Sequence, residues 1–130
     1  MKPATLACMQ KVYYRQNRRM PPFVFFESVE AEVAIPDTGM LSRTLFTDDA
    51  VKVVAFGFAA GHELAAHTAP MAAILYFVRG EAELTLGAGS EAEKRHVHAG
   101  AFVHMPPQTP HGIRATTPLA MLLLTLKQVR

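Results

Sequence analysis

The chain has 130 residues, 50% of them hydrophobic and 18% charged, with a formal net charge of +2. That length suits one compact domain with a core of useful size, and the composition excludes a disordered chain. No apolar run approaches the roughly 20 residues that span a bilayer, and the single cysteine, Cys8, excludes an internal disulfide and points to a reducing cytoplasm.

Residues 1–22 read as a basic extension. Lys2, Lys11, Arg15, Arg18 and Arg19 lie there with no acid to balance them, so the rest of the chain is acidic by difference. The stretch lacks the apolar core of a secretory signal. Its charges show no periodicity, and a solvated arm is the expectation rather than a nucleic-acid or membrane site. Met20 opens Met-Pro-Pro-Phe-Val, where the globular pattern begins, and is a candidate for the translation start in place of Met1. Residues 23–130 are expected to form a single domain.

From Pro22 onward the pattern is β. Val29, Ala31, Val33 and Ile35 alternate with Glu30 and Glu32, as in a half-buried strand. Pro36-Asp37-Thr38-Gly39 signals a turn. Arg43 to Thr47, Val51 to Phe58 and Ala72 to Val78 are the next strands, the second rich in β-branched and aromatic residues. Glu81 to Leu86 presents Ala82, Leu84 and Leu86 to one side, and Gly87-Ala88-Gly89-Ser90 reads as a flexible loop. Lys94 to His98, Ala101 to Met105, His111 to Ala115 and Leu119 to Leu126 complete the set. Short strands without an amphipathic helix indicate an all-β barrel or sandwich.

The chemistry concentrates in two stretches. Gly61-His62-Glu63-Leu64-Ala65-Ala66-His67 is followed by Gly80, and Gly100 is followed by Pro106 and His111. In spacing and residue type this arrangement resembles the two motifs of the small single-domain, RmlC-like cupins. The likeness covers roughly residues 40–127. Three glycines, two histidines and a proline fall in register; Ala69, Ala73 and Gln108 stand where a second His, a Glu and a Gly are usual. The resemblance implies a double-stranded β-helix, the jelly-roll barrel of two facing sheets. It also implies that His67 and His111 occupy ligand positions in the barrel mouth.

Cupins that bind metal hold Zn, Ni, Fe or Mn through three histidines and an acid, and alanine offers no donor at two of those positions. His104 is the nearest candidate for a compensating ligand, pointing inward with Phe102 if the strand alternates that way, or outward if Val103 and Met105 take the core. His62 belongs to the rim loop. His96 and His98 flank the core residue Val97 and are expected to face solvent. Leu75, Phe77, Phe102 and Met105 are candidates for the apolar pocket lining.

Nucleophilic catalysis has no support: Ser42 and Ser90 sit in turns, and no phosphate loop is present. Three functions stay open. The first is a barrel that binds a small polar or anionic molecule with His67 and His111. The second is a divalent-metal enzyme of dioxygenase or isomerase type that adds His104 or His62 to that pair. The third is a non-catalytic sensing or assembly module. The resemblance implies a homodimer, and the apolar segment Phe23-Val24-Phe25-Phe26 is uncomfortable in water; it would cover its own barrel or reach a neighbour's.

Overall fold

The computed structural model describes residues 23–128; the expected basic extension, with Cys8 and Met20, lies outside the described residues. Nine strands follow in order: β1 Met40–Thr47, β2 Val51–Phe58, β3 Glu63–His67, β4 Ala73–Arg79, β5 Glu81–Leu86, β6 Glu93–His98, β7 Phe102–Met105, β8 His111–Ala115 and β9 Leu119–Leu126. They form two sheets, a five-stranded one in the order β1-β2-β9-β4-β7 and a four-stranded one in the order β3-β8-β5-β6. Every strand pair is antiparallel. Two facing antiparallel sheets with strand order crossing between them make the all-β fold a double-stranded β-helix. Among the described residues no helix is long and apolar enough to cross a membrane.

The core lies between the inner faces. Alternation sends Phe58 of β2, Leu75 and Phe77 of β4, Leu84 of β5, and Leu119 and Met121 of β9 inward, all fully buried. Each such side chain contributes about 1.5–3 kcal/mol of transfer free energy. Partly buried Phe56, Leu64, Val103 and Leu123 pack around them. The same alternation on β6 buries Val97 and leaves His96 and His98 outside.

The strand expected across residues 29–35 does not form. Glu30–Glu32 is a single 3-10 turn, and the segment after it runs over the outer face of β1 and β2. Gly57 makes that approach possible, because a Cβ there would meet the Ala34 carbonyl oxygen at 2.0 Å. Glu32, read from the pattern as a solvent residue, is buried; its carboxylate lies 3.2 Å from Arg43 Nη2. That contact is paired by charge rather than by a well-directed hydrogen bond. Val29, Val33 and Ile35 are half-buried in this strap, and Glu32 turns to the sheet opposite Arg43.

Candidate functional site

One end of the barrel gathers the chemistry. His111 opens β8 and His67 closes β3, and the two are cross-strand partners. Their ring centroids stand 4.3 Å apart at an interplanar angle of 53°. His111 is 7% exposed, whereas His67 is exposed at the rim.

A β-bulge puts His67 there. Leu64 pairs with Ile113 and His67 with His111, so three steps along β3 match two along β8. The extra residue reverses the pleat, and Leu64 and His67 share the inner face despite their odd separation. Gly112 accommodates the bulge: a Cβ on it would meet Ala66 N at 3.2 Å and Leu64 O at 3.3 Å.

The backbone also sets the orientation of both rings. His67 Nδ1 donates to the Ala65 carbonyl at 3.0 Å and His111 Nδ1 to the Thr109 carbonyl at 2.9 Å. A carbonyl oxygen only accepts, so each Nδ1 carries a proton and Nε2 is the nitrogen left to meet a ligand. Neither Nε2 has a partner among the described residues. Such anchoring of one ring nitrogen is what frees the other to meet a ligand.

The remaining candidate residues fall elsewhere. Met105 and Ala73 are cross-strand partners on the buried inner face, at the same end of the barrel as the imidazoles. Their parity turns Phe102 and His104 outward. Phe102 is 62% exposed, and His104 pairs with Ile74 on the outer face. Phe77, four residues down β4 from Ala73, is fully buried in the packed core below the mouth. His62 lies at the opposite end: its carbonyl accepts from Ala115 at 2.9 Å, and its ring stands 5.7 Å from Phe58. Ala115 is roughly 13 Å along β8 from His111. The structure therefore brings neither His104 nor His62 to the pair.

The donor set does not fit a tightly held metal ion. Two imidazoles converge, the two further ligand positions are alanines, and no group of three His, Cys, Asp or Glu side chains suited to a metal exists among the described residues. Catalytic zinc sites, for comparison, keep three protein ligands.

Two features escaped the sequence reading. Lys52 of β2 stands at the mouth; it pairs with Thr125, which in turn pairs with Ala73. The parity of Val54, Phe56 and Phe58 was the available signal. A surface depression also lies on the outer side of the four-stranded sheet, floored by Gly112 and edged by Glu63, Thr85 and Lys94. Three of its charges face one another: Glu83 stands 4.0 Å from Lys94 and 3.9 Å from Arg114. Exposed pairs of that kind contribute about 0–1 kcal/mol.

Comparison with known proteins agrees with this architecture. Residues 55–126 match the family model described as the cupin domain. No curated protein matches. Among solved structures, a conserved protein of unknown function from Streptococcus pyogenes is 28% identical with a TM-score of 0.70, covering 86% of this chain and 93% of its own. A cupin superfamily protein from Desulfitobacterium hafniense DCB-2 is 21% identical with a TM-score of 0.69, over 85% of this chain and 92% of its own. An RmlC-like cupin protein from Desulfovibrio desulfuricans is 25% identical with a TM-score of 0.63, over 83% and 97%. With the motif glycines, the paired histidines and the two-sheet barrel all present, the chain belongs to the cupin family.

Proposed function

We propose that this barrel binds a small polar or anionic molecule at its mouth, between His67 and His111. One observation carries the reading: two imidazoles 4.3 Å apart, each fixed through Nδ1, with both Nε2 atoms uncommitted. Leu75, Phe77, Leu84 and Met121 fill the barrel below, which limits the ligand to the mouth and to a small size. The missing donors at Ala69 and Ala73 weigh against the metal-enzyme reading.

Tag-free protein extracted after purification and analysed by mass spectrometry and metal analysis tests the proposal. The expected result is a small organic molecule retained by the wild type and absent from His67→Ala and His111→Ala. A stoichiometric divalent ion that disappears with either substitution, and no organic molecule, would transfer the assignment to a metal enzyme.

We also infer that two copies pair and that the protein works in the cytoplasm. Support for pairing comes from the outer face of the five-stranded sheet, where exposed Tyr76 and Phe102 are cross-strand neighbours. Light scattering should give twice the chain mass, and a monomer at every concentration would remove the dimer. The cytoplasmic reading rests on the lone cysteine. Fractionation that recovers the protein in the soluble intracellular pool is the expected outcome.

A further inference from the structure

We propose that Lys52 is the anion-binding arm of the mouth, so that the molecule held by His67 and His111 is a small hydroxy-carboxylate. This rests on the reading of the imidazole pair as a ligand site. Lys52, Thr125, Ala73 and Met105 are successive cross-strand partners over four strands of the five-stranded sheet. Ala73 and Met105 are buried against the core, which identifies that row as inner-facing. Along β2 the same parity sends Val54, Phe56 and Phe58 inward, with Phe56 and Phe58 packed on the core. Lys52 is thus the last inward position before the open end. On the opposite sheet the row at that end is Leu86, His111 and His67. Facing sheets stand about 10 Å apart, a gap that a flexible lysine stem and a molecule of a few carbons bridge together.

The two lysines of the rim differ in how they are used. Lys127 Nζ donates to Thr47 Oγ1 at 2.9 Å and to the Asp48 carbonyl at 2.7 Å, so its charge is held at the β1–β2 turn. Lys52 has no hydrogen bond or ion pair among the described residues. Across the mouth, both Nδ1 protons are committed to backbone carbonyls, so in the Nδ1–H tautomer each Nε2 is an acceptor. A bare carboxylate brings no proton to those Nε2 atoms. A hydroxyl does, and an ammonium on the other wall takes the carboxylate through charge-assisted hydrogen bonds. Ala73, with only a methyl group, stands in the Lys52 row and adds no polar group of its own between the two walls.

Full-length protein labelled for histidine ring nitrogen NMR provides the test. Glycolate and 3-hydroxybutyrate, each paired with its uncharged amide, are titrated into wild type, Lys52→Met and Lys52→Arg. Both acids, or the better fitting one, should shift the His67 and His111 ring signals and bind about tenfold tighter than the matching amide. Lys52→Met should erase that preference while the ring signals still respond, and Lys52→Arg should restore it. Equal binding of acid and amide, or a preference that survives in Lys52→Met, overturns the role of Lys52 and leaves the imidazole site standing. Ring signals that ignore every probe overturn the imidazole site, and this inference with it.

Discussion

The backbone amide of Gln108 donates to the carbonyl oxygen of Ala69 at 2.7 Å. Both residues occupy motif positions where this chain departs from the usual glycine and histidine, and the hydrogen bond ties the loop before β8 to the loop after β3. It thereby steadies both strand ends that carry the imidazoles. Gln108 does so with φ at 64°, the left-handed conformation, as the described non-glycine residue that adopts it.

Restoring glycine there should therefore stabilise the protein. Left-handed backbone costs an L-residue about 1–2 kcal/mol, and the greater unfolded-state freedom of glycine returns about 0.4–1 kcal/mol of that. Gln108→Gly should gain about 0.5–1 kcal/mol, because the amide that reaches Ala69 is kept. Urea unfolding measures it, and a lower midpoint for the variant would mean that the Gln108 side chain contributes more than its backbone strain costs.

The alanines at the mouth predict a gain of function. Ala73 faces the inner side at the imidazole end, and Ala69 follows β3 in the loop that Gln108 holds. Ala69→His with Ala73→Glu supplies the two absent donors and should convert the pair of rings into a site for Zn or Ni. The double variant should retain one equivalent of metal after dialysis and melt at a higher temperature with metal than without. Adding His111→Ala should abolish both effects. If the double variant binds no metal, the loop after β3 does not bring residue 69 to the mouth.

Much of the barrel was legible: eight of its nine strands fall where alternation or composition placed them. Ala82, Leu84 and Leu86 alternate with charged or polar neighbours, and the Val51–Phe58 strand falls where its β-branched and aromatic residues placed it. β3 carried no such signal. Ala65 and Ala66 mark neither face, and the bulge breaks the period of two between Leu64 and His67. Residues 29–35 misled for the opposite reason: their alternation is real, but Glu30–Glu32 forms a 3-10 turn and the segment pairs with neither sheet. The direction of His104 depended on the partner of Met105. That partner is Ala73, a register no single strand encodes.

The bulge gives a third prediction. Gly112 lies beside His111 and under the extra residue of β3, with Ala66 N and Leu64 O already at contact distance from a hypothetical Cβ. Gly112→Ala should push β3 off β8 at a cost of about 1–3 kcal/mol, the range for overpacking a fitted site. The expected signature is a lower urea midpoint together with weakened magnetisation transfer between the His67 and His111 rings. Loss of stability with the ring contact unchanged would show that the bulge relaxes elsewhere and does not position His67.

Finally, the β1–β2 turn is ionically tuned and holds Lys127 away from the mouth. Asp48 Oδ1 accepts from the amides of Val51 at 2.9 Å and Ala50 at 2.8 Å. These hydrogen bonds, that of Val51 foremost and that of Ala50 next, hold the carboxyl below its usual range, with Lys127 adding a smaller push in the same direction. A carboxylate lowered by folding stabilises the native state above its unfolded value, near pH 3.8, and that contribution is lost as pH falls through the folded value. Asp48→Ala should accordingly melt below the wild type at neutral pH, and the two melting temperatures should converge in strong acid. Asp48→Asn keeps an oxygen acceptor without the charge and should fall between them, with a gap from Asp48→Ala that does not depend on pH. Parallel wild-type and Asp48→Ala curves down to pH values well below 3.8 would mean that the turn is held by shape alone, and Lys127 would then be set by its bonds to Thr47 and the Asp48 carbonyl without help from the carboxylate.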